Sequence, residues 1–216
     1  MKQKQNILLP VFSALLFILL TILLLTVDVA PAGPENVEVG LSHFNGAAHR
    51  FFGSNTVWYF ITETTGYTAI ASGSVFVVAG LVQLIKRKSF LKVDKEIYAV
   101  GVLYVLLGII YALSNKITIN CRPIFAPGEN VPEPSFPSSH TLLSLAVMGS
   151  AIMLLNKYIK NKTLKQILTS LCAAIATVTV IGRILSGVHW FTDILGSIFL
   201  TVFLLSIFRL FINTKE

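Results

Sequence analysis

Apolar runs separated by polar breaks divide the 216-residue chain into six long stretches, near residues 7–27, 57–85, 97–113, 138–156, 167–185 and 192–212. Crossing a hydrocarbon core takes about 20 apolar residues of α-helix. The pattern therefore predicts six transmembrane helices, the second long and interrupted by Glu63, Gly66 and Gly73, the third and fourth short. Residues 31–55, between the first two spans, begin with turn formers and end in aromatic and small residues, which predicts an interfacial amphipathic helix. Neither a tandem repeat nor a low-complexity tract nor a soluble second domain stands out. The chain reads as one all-α, membrane-embedded domain over 1–216, with both termini cytoplasmic.

Composition strengthens this reading: 54% of residues are hydrophobic, 12% are charged and the mean hydropathy is +0.76, outside the range of soluble domains. A net charge of +7 could suggest nucleic acid, but the basic residues lie between apolar spans and form no single polar face. Membrane phospholipids with anionic headgroups are the expected partner, and nucleic acid is not. Cys121 lies in a polar loop and Cys172 within an apolar span, so their different depths argue against a disulfide.

Positive loops are retained in the cytoplasm. With the N-terminus inside, only Arg50, Lys116, Arg122 and Arg183 of the 17 basic residues fall on the outer side. Lys2 and Lys4 before an apolar run, with Ala30-Pro31-Ala32 after it, loosely match a signal peptide. The run exceeds a typical signal core, and proline is a poor cleavage context, so an uncleaved first helix is expected.

Three outward segments gather the candidate chemistry: SNKITINCRPIF with Lys116 and Arg122, SFPSSHTLL with Ser138, Ser139 and His140, and GRILSGVHWFTD with Arg183, His189 and Asp193. If the chain after Val188 is helical, His189 and Asp193 share a face, so that the carboxylate holds one ring nitrogen and leaves the other free. The arginines carry planar charges suited to phosphate. Ser138 or Ser139 is placed to cap the fourth span, whose first amides and dipole favour an anion. Such an inventory suits phosphoryl transfer.

Each feature also has a structural reading. Arg183 could snorkel, Asp193 could cap the sixth span, and Trp190 with Phe191 could belong to an aromatic belt. His43 and His49 lack acidic or cysteine partners at zinc-like spacing and read as interfacial histidines. Glu63, within the second span, reads as a structural ion pair or an interfacial carboxylate and is left outside the site.

The motifs resemble those of the type-2 phosphatidic acid phosphatase superfamily of membrane lipid phosphatases. Arg183, five residues, His189, three residues, Asp193 is similar to its third motif; Phe136-Pro137-Ser138-Ser139-His140 resembles the second; Lys116 to Pro123 resembles the first. Lys116 stands one position later than the family lysine, where the register places Asn115. Ser139 replaces a usual glycine, and Gly182 replaces a frequent serine.

The resemblance implies six membrane helices and metal-independent hydrolysis of a lipid phosphate, without cofactor. His189 would form a phosphohistidine, Asp193 would orient it, and His140 would act as acid and then base. Arg122, Arg183, Lys116, Ser138 and Ser139 would bind phosphate. Undecaprenyl diphosphate and phosphatidylglycerol phosphate are the substrates it suggests, in a bacterial plasma membrane with the site facing outward. Phosphoryl transfer to another acceptor and a non-catalytic phospholipid-binding or transport module are the alternatives.

Overall fold

The computed structural model describes residues 2–213. Its helices are α1 (Lys2–Thr26), α2 (Ser42–Phe52), α3 (Thr56–Arg87), α4 (Lys95–Ser114), α5 (Ser139–Tyr158), α6 (Lys162–Ser186) and α7 (Phe191–Asn213). All except α2 are long and apolar enough to cross a membrane, matching the six expected spans. The helix between the first two spans also forms, with exposed Phe44 and Phe51 on one side and buried Ser42 and Asn45 on the other. Ahead of it, Ala30–Pro31 and Glu38–Val39 make a short antiparallel ribbon.

The centre of the bundle is α5, which packs against α3, α6 and α7, while α1 lies along α7. Half of its apolar window is buried, more than in any other span. Composition explains the position: Ala146, Gly149, Ser150 and Ala151 let neighbouring backbones approach, the usual basis of helix packing in lipid. Leu103 and Leu107 of α4, Met148 and Leu154 of α5, and Leu204 and Phe208 of α7 fill the core around it. Hydroxyls join the helices as well, since Thr179 of α6 donates to Thr65 of α3 at 2.7 Å and lies 3.0 Å from Ser144 of α5.

Different connections fasten the two ends. At one, Asp94 ahead of α4 accepts from Arg87 and Gln83 of α3 and Tyr158 of α5. At the other, residues 115–138 fold back on themselves: the Arg122 amide donates to Glu133 O, and that of Ser135 to Asn120 O. Phe136 then plugs between α1 and α7, stacked on Phe17 and pressed against Gly196, where a Cβ would overlap its ring. Asn120 ties this segment to the ribbon by accepting the Gly40 amide at 2.9 Å. Cys121 and Cys172 are both free.

Candidate active site

The three motif segments and one face of α3 meet at the end of the bundle that residues 115–138 close. Gly187 ends α6 in the left-handed conformation (φ 71°), which glycine adopts without strain, and residues 188–190 turn before α7 begins at Phe191. His189 therefore lies outside the helix, and a shared helical face does not bring it to Asp193 as expected. The pair meets across the helix start, with Nδ1 3.4 Å from Asp193 Oδ2. That oxygen also accepts the Trp190 amide at 2.9 Å, so Asp193 closes the first turn as an N3 acid does.

The third motif is deeply enclosed: Arg183 and Asp193 are inaccessible and His189 is 5% exposed. Arg183 does not snorkel. Trp190 is equally buried, and its indole N–H donates to Cys121 O at 2.6 Å, so it belongs to the site wall and not to a lipid belt. Burial, with Arg122 and Arg183 close by, holds the His189 imidazole well below its ordinary value of 6.5. A neutral ring with an available lone pair is the state a nucleophile needs.

Ser138 is the N-cap residue of α5, but its hydroxyl donates to Thr141 Oγ1 at 3.0 Å and makes no capping bond. Its backbone does the joining, the amide to Asp193 O at 3.2 Å and the carbonyl from Ser197 Oγ at 2.9 Å. The starts of α5 and α7 are thereby locked together, with the first amides of α5 free of intrahelical partners. Ser139 opens α5 at the edge of a cavity, while Lys116 is exposed just past α4, with no ion pair or side-chain hydrogen bond among the described residues. The cluster proper comprises Arg122, His140, Arg183, His189 and Asp193.

Glu63, left aside in the sequence reading, stands in its middle. Oε1 accepts from Arg183 Nη2 at 2.6 Å and lies 3.2 Å from His140 Nε2. One turn earlier on α3, the Tyr59 ring faces the Arg183 guanidinium at 5.5 Å, and one turn later Gly66 makes room for the His140 ring. A lone carboxylate in an apolar span was the available signal. Gly182, where the family often has serine, faces Thr62 and Trp58 of α3 and leaves no space for a side chain. Glycine there lets α3 approach closely enough to deliver Glu63.

Asn45 escaped the sequence reading, and His49, read there as an interfacial histidine, reaches the site as well. Asn45 of α2, fully buried, accepts from the Thr192 amide and hydroxyl and donates to Gly40 O. His49, one turn on, lies 3.1 Å from Gly187 O and against the Trp190 ring. Helix α2 thus clamps both flanks of the loop that carries His189. His43 pairs with Asp28 at 2.6 Å, away from this contact.

Several buried polar atoms in the cluster have no hydrogen-bond partner: Arg122 Nη1, Arg183 Nε, and Nε2 of His189. Such atoms are costly unless something satisfies them. Unpartnered guanidinium donors and an imidazole nitrogen within one enclosed cluster suit a tetrahedral anion. Arg122 is also held by Glu133, 2.8 Å from Nε, which fixes its fork.

Beside this cradle lies an apolar cavity of about 550 Å³ between α3, α4 and α5. Pro137, Ser139 and His140 line its polar end, and Ile70, Tyr104, Gly108 and Val147 its length. His140 and Glu63 side chains are 27% and 25% exposed, against 2% for His189, so the His140 side opens toward the cavity and the His189 side is closed.

The family model of the PAP2 superfamily matches residues 47–216, a range containing all three motifs and Glu63. Among solved structures, the fold is similar to the crystal structure of a transmembrane PAP2-type phosphatidylglycerolphosphate phosphatase from Bacillus subtilis, with a TM-score of 0.64 and 22% identity, covering 94% of this chain and 95% of that one. No curated protein matches the sequence.

Proposed function

Because the chain belongs to the PAP2 superfamily, we propose that it hydrolyses a membrane lipid phosphate or diphosphate through a phosphohistidine on His189. The observation that carries this reading is the position of His140, which shares the ionic cluster with Arg183 and also lines the apolar cavity. A phosphate held by Arg122 and Arg183 has its ester oxygen beside His140 when the lipid tail lies in the cavity.

His189 Nε2 attacks phosphorus while the bond to the lipid oxygen breaks, and His140 gives that oxygen its proton. Asp193 steadies the imidazolium character that develops on His189. Arg122 and Arg183, helped by the first amides of α5, take the charge spreading over the nonbridging oxygens. Ser138 and Ser139 border this anion site, and Lys116 reaches it from the adjacent loop. In the second step His140, now neutral, accepts a proton from water as its oxygen attacks phosphorus. The phosphorus–nitrogen bond breaks, and inorganic phosphate leaves.

The reading puts the site on the outer face of a bacterial plasma membrane, an orientation that the count of positive loop residues supports. Phosphatidylglycerol phosphate, the substrate class named for the Bacillus protein, and undecaprenyl diphosphate are the leading substrates. The test is a panel of purified lipid phosphates assayed with chelator present, scoring free phosphate for wild type and His189→Ala. Release from one or more lipids that survives chelation and disappears in His189→Ala is expected. Strict dependence on added metal, or undiminished turnover by the variant, would overturn the mechanism, and a phosphorylated acceptor in place of free phosphate would make the protein a transferase.

A further inference from the structure

Glu63 occupies a position that the three motifs do not explain. Its Oε1 is shared between Arg183 and His140, two groups of opposite duty, one binding phosphate and the other handling the leaving-group proton. We infer that Glu63 is the positioning carboxylate of His140, holding the proton-donating half of the site in register with the phosphate-binding half. This rests on the phosphatase reading above.

Geometry and charge both support this assignment. The groups facing His140 are Glu63 from α3, Arg183 from α6 and Arg122 from the 115–138 segment. Both guanidiniums are positive, and the carboxylate 3.2 Å from Nε2 is the negative charge beside the ring. Without Glu63, the group that must carry a proton to the leaving oxygen would face two fixed positive charges alone. Glu63 also takes Nη2 of Arg183 and leaves Nε unpartnered, so the phosphate donor stays available while its guanidinium is fixed. The cluster then contains two carboxylate–histidine pairs, Asp193 with the buried nucleophile and Glu63 with the acid beside the cavity.

The alternative is a purely structural bridge that ties α3 to α5 and α6. The two roles separate through the leaving group. An alkyl or prenyl phosphate expels a poor leaving group that needs a proton, whereas p-nitrophenyl phosphate releases a stable phenolate that does not. Glu63→Gln keeps an acceptor for Arg183 but loses the charge. Its kcat/KM on the lipid phosphate, which reports only the steps up to phosphorylation of His189, is expected to fall at least tenfold further than its kcat/KM on p-nitrophenyl phosphate, as for His140→Ala. Equal losses on the two substrates, or no loss on the lipid, would overturn the assignment.

A second measurement uses the lipid phosphate alone. If Glu63 acts through His140, the Glu63→Gln, His140→Ala double variant should retain the activity of His140→Ala within about threefold, because the effects of coupled residues do not add. Full multiplication of the two single losses would overturn the proposal. A wild-type protein inactive on every lipid phosphate and on the aryl phosphate would instead remove the phosphatase reading itself.

Discussion

The ring of His140 lies against the bare backbone of Gly66, where a Cβ would come within 2.6 Å of Cδ2 and 3.1 Å of Nε2. The same nitrogen faces Glu63, so α3 supplies both the carboxylate and the space beside it. Alanine favours the helix over glycine by about 1 kcal/mol. Gly66→Ala should therefore insert and fold with a Tm at or near that of wild type while displacing His140. A fall in kcat of roughly ten- to a hundredfold, in line with loss of general acid catalysis, is expected in a phosphate-release assay. Unchanged turnover would show that the imidazole has room to move without consequence.

Close approach of α3 and α6 at Gly182 leads to a paired experiment. A serine there meets the Thr62 methyl and the Trp58 ring. Gly182→Ser should lower Tm and activity together by prising Glu63 from Arg183. Thr62→Ser removes the obstructing methyl and keeps the hydroxyl that bonds back to Trp58 O and Tyr59 O. Adding it should recover most of both losses, and failure to recover would place the damage elsewhere than in this contact.

Asn45 offers a test of the interfacial helix. Its side chain accepts two hydrogen bonds from Thr192 and donates one to Gly40, all in buried surroundings. Asn45→Ala leaves those groups unpaired, which costs about 2–3 kcal/mol at roughly 1 kcal/mol each. Because Thr192 immediately precedes Asp193, kcat should fall as well as Tm. Thermal unfolding in detergent and turnover at a temperature well below the lowered Tm separate the two effects.

The spans were legible because lipid imposes a single period and a minimum length on every crossing helix. Arg183, His189 and Asp193 were legible because they lie within one short stretch of sequence. Their pairing was anticipated for the wrong reason: Gly187 ends α6, and a three-residue turn does what a helical face was expected to do. Glu63 was visible as a charge out of place, but its partners are 77 and 120 positions away, and no local pattern encodes which helix faces it. Asn45 and the contacts of His49 were hidden for the same reason, since α2 meets the loop that carries His189 only once the bundle has closed.

Acid sensitivity should follow from the burial of His189. His189 titrates well below its ordinary value of 6.5 in the folded protein, whereas in the unfolded chain it takes a proton near that value. Below 6.5 the unfolded state binds more protons, so stability falls as pH falls, down to the folded-state value, and is regained above 6.5. Between pH 7.5 and 5, Tm should change less favourably with falling pH for wild type than for His189→Asn. Equal slopes for the two proteins would mean that other groups set the pH dependence.

Gly108 lines the cavity from α4, and a Cβ built there meets nothing within 4 Å. Phenylalanine at this position can enter existing space without forcing helices apart, unlike a substitution at Gly182. If the cavity receives the lipid tail, Gly108→Phe should raise KM for a long-chain lipid phosphate by about tenfold or more, roughly 1.4 kcal/mol of lost binding. A short-chain or aryl phosphate, whose tail does not reach that depth, should lose much less. The comparison must be made at matched detergent concentration, because dilution of a lipid among micelles alters its apparent KM whatever the protein does. Parallel losses for long and short substrates would place the tail outside this cavity, along the lipid-facing surface of the helices.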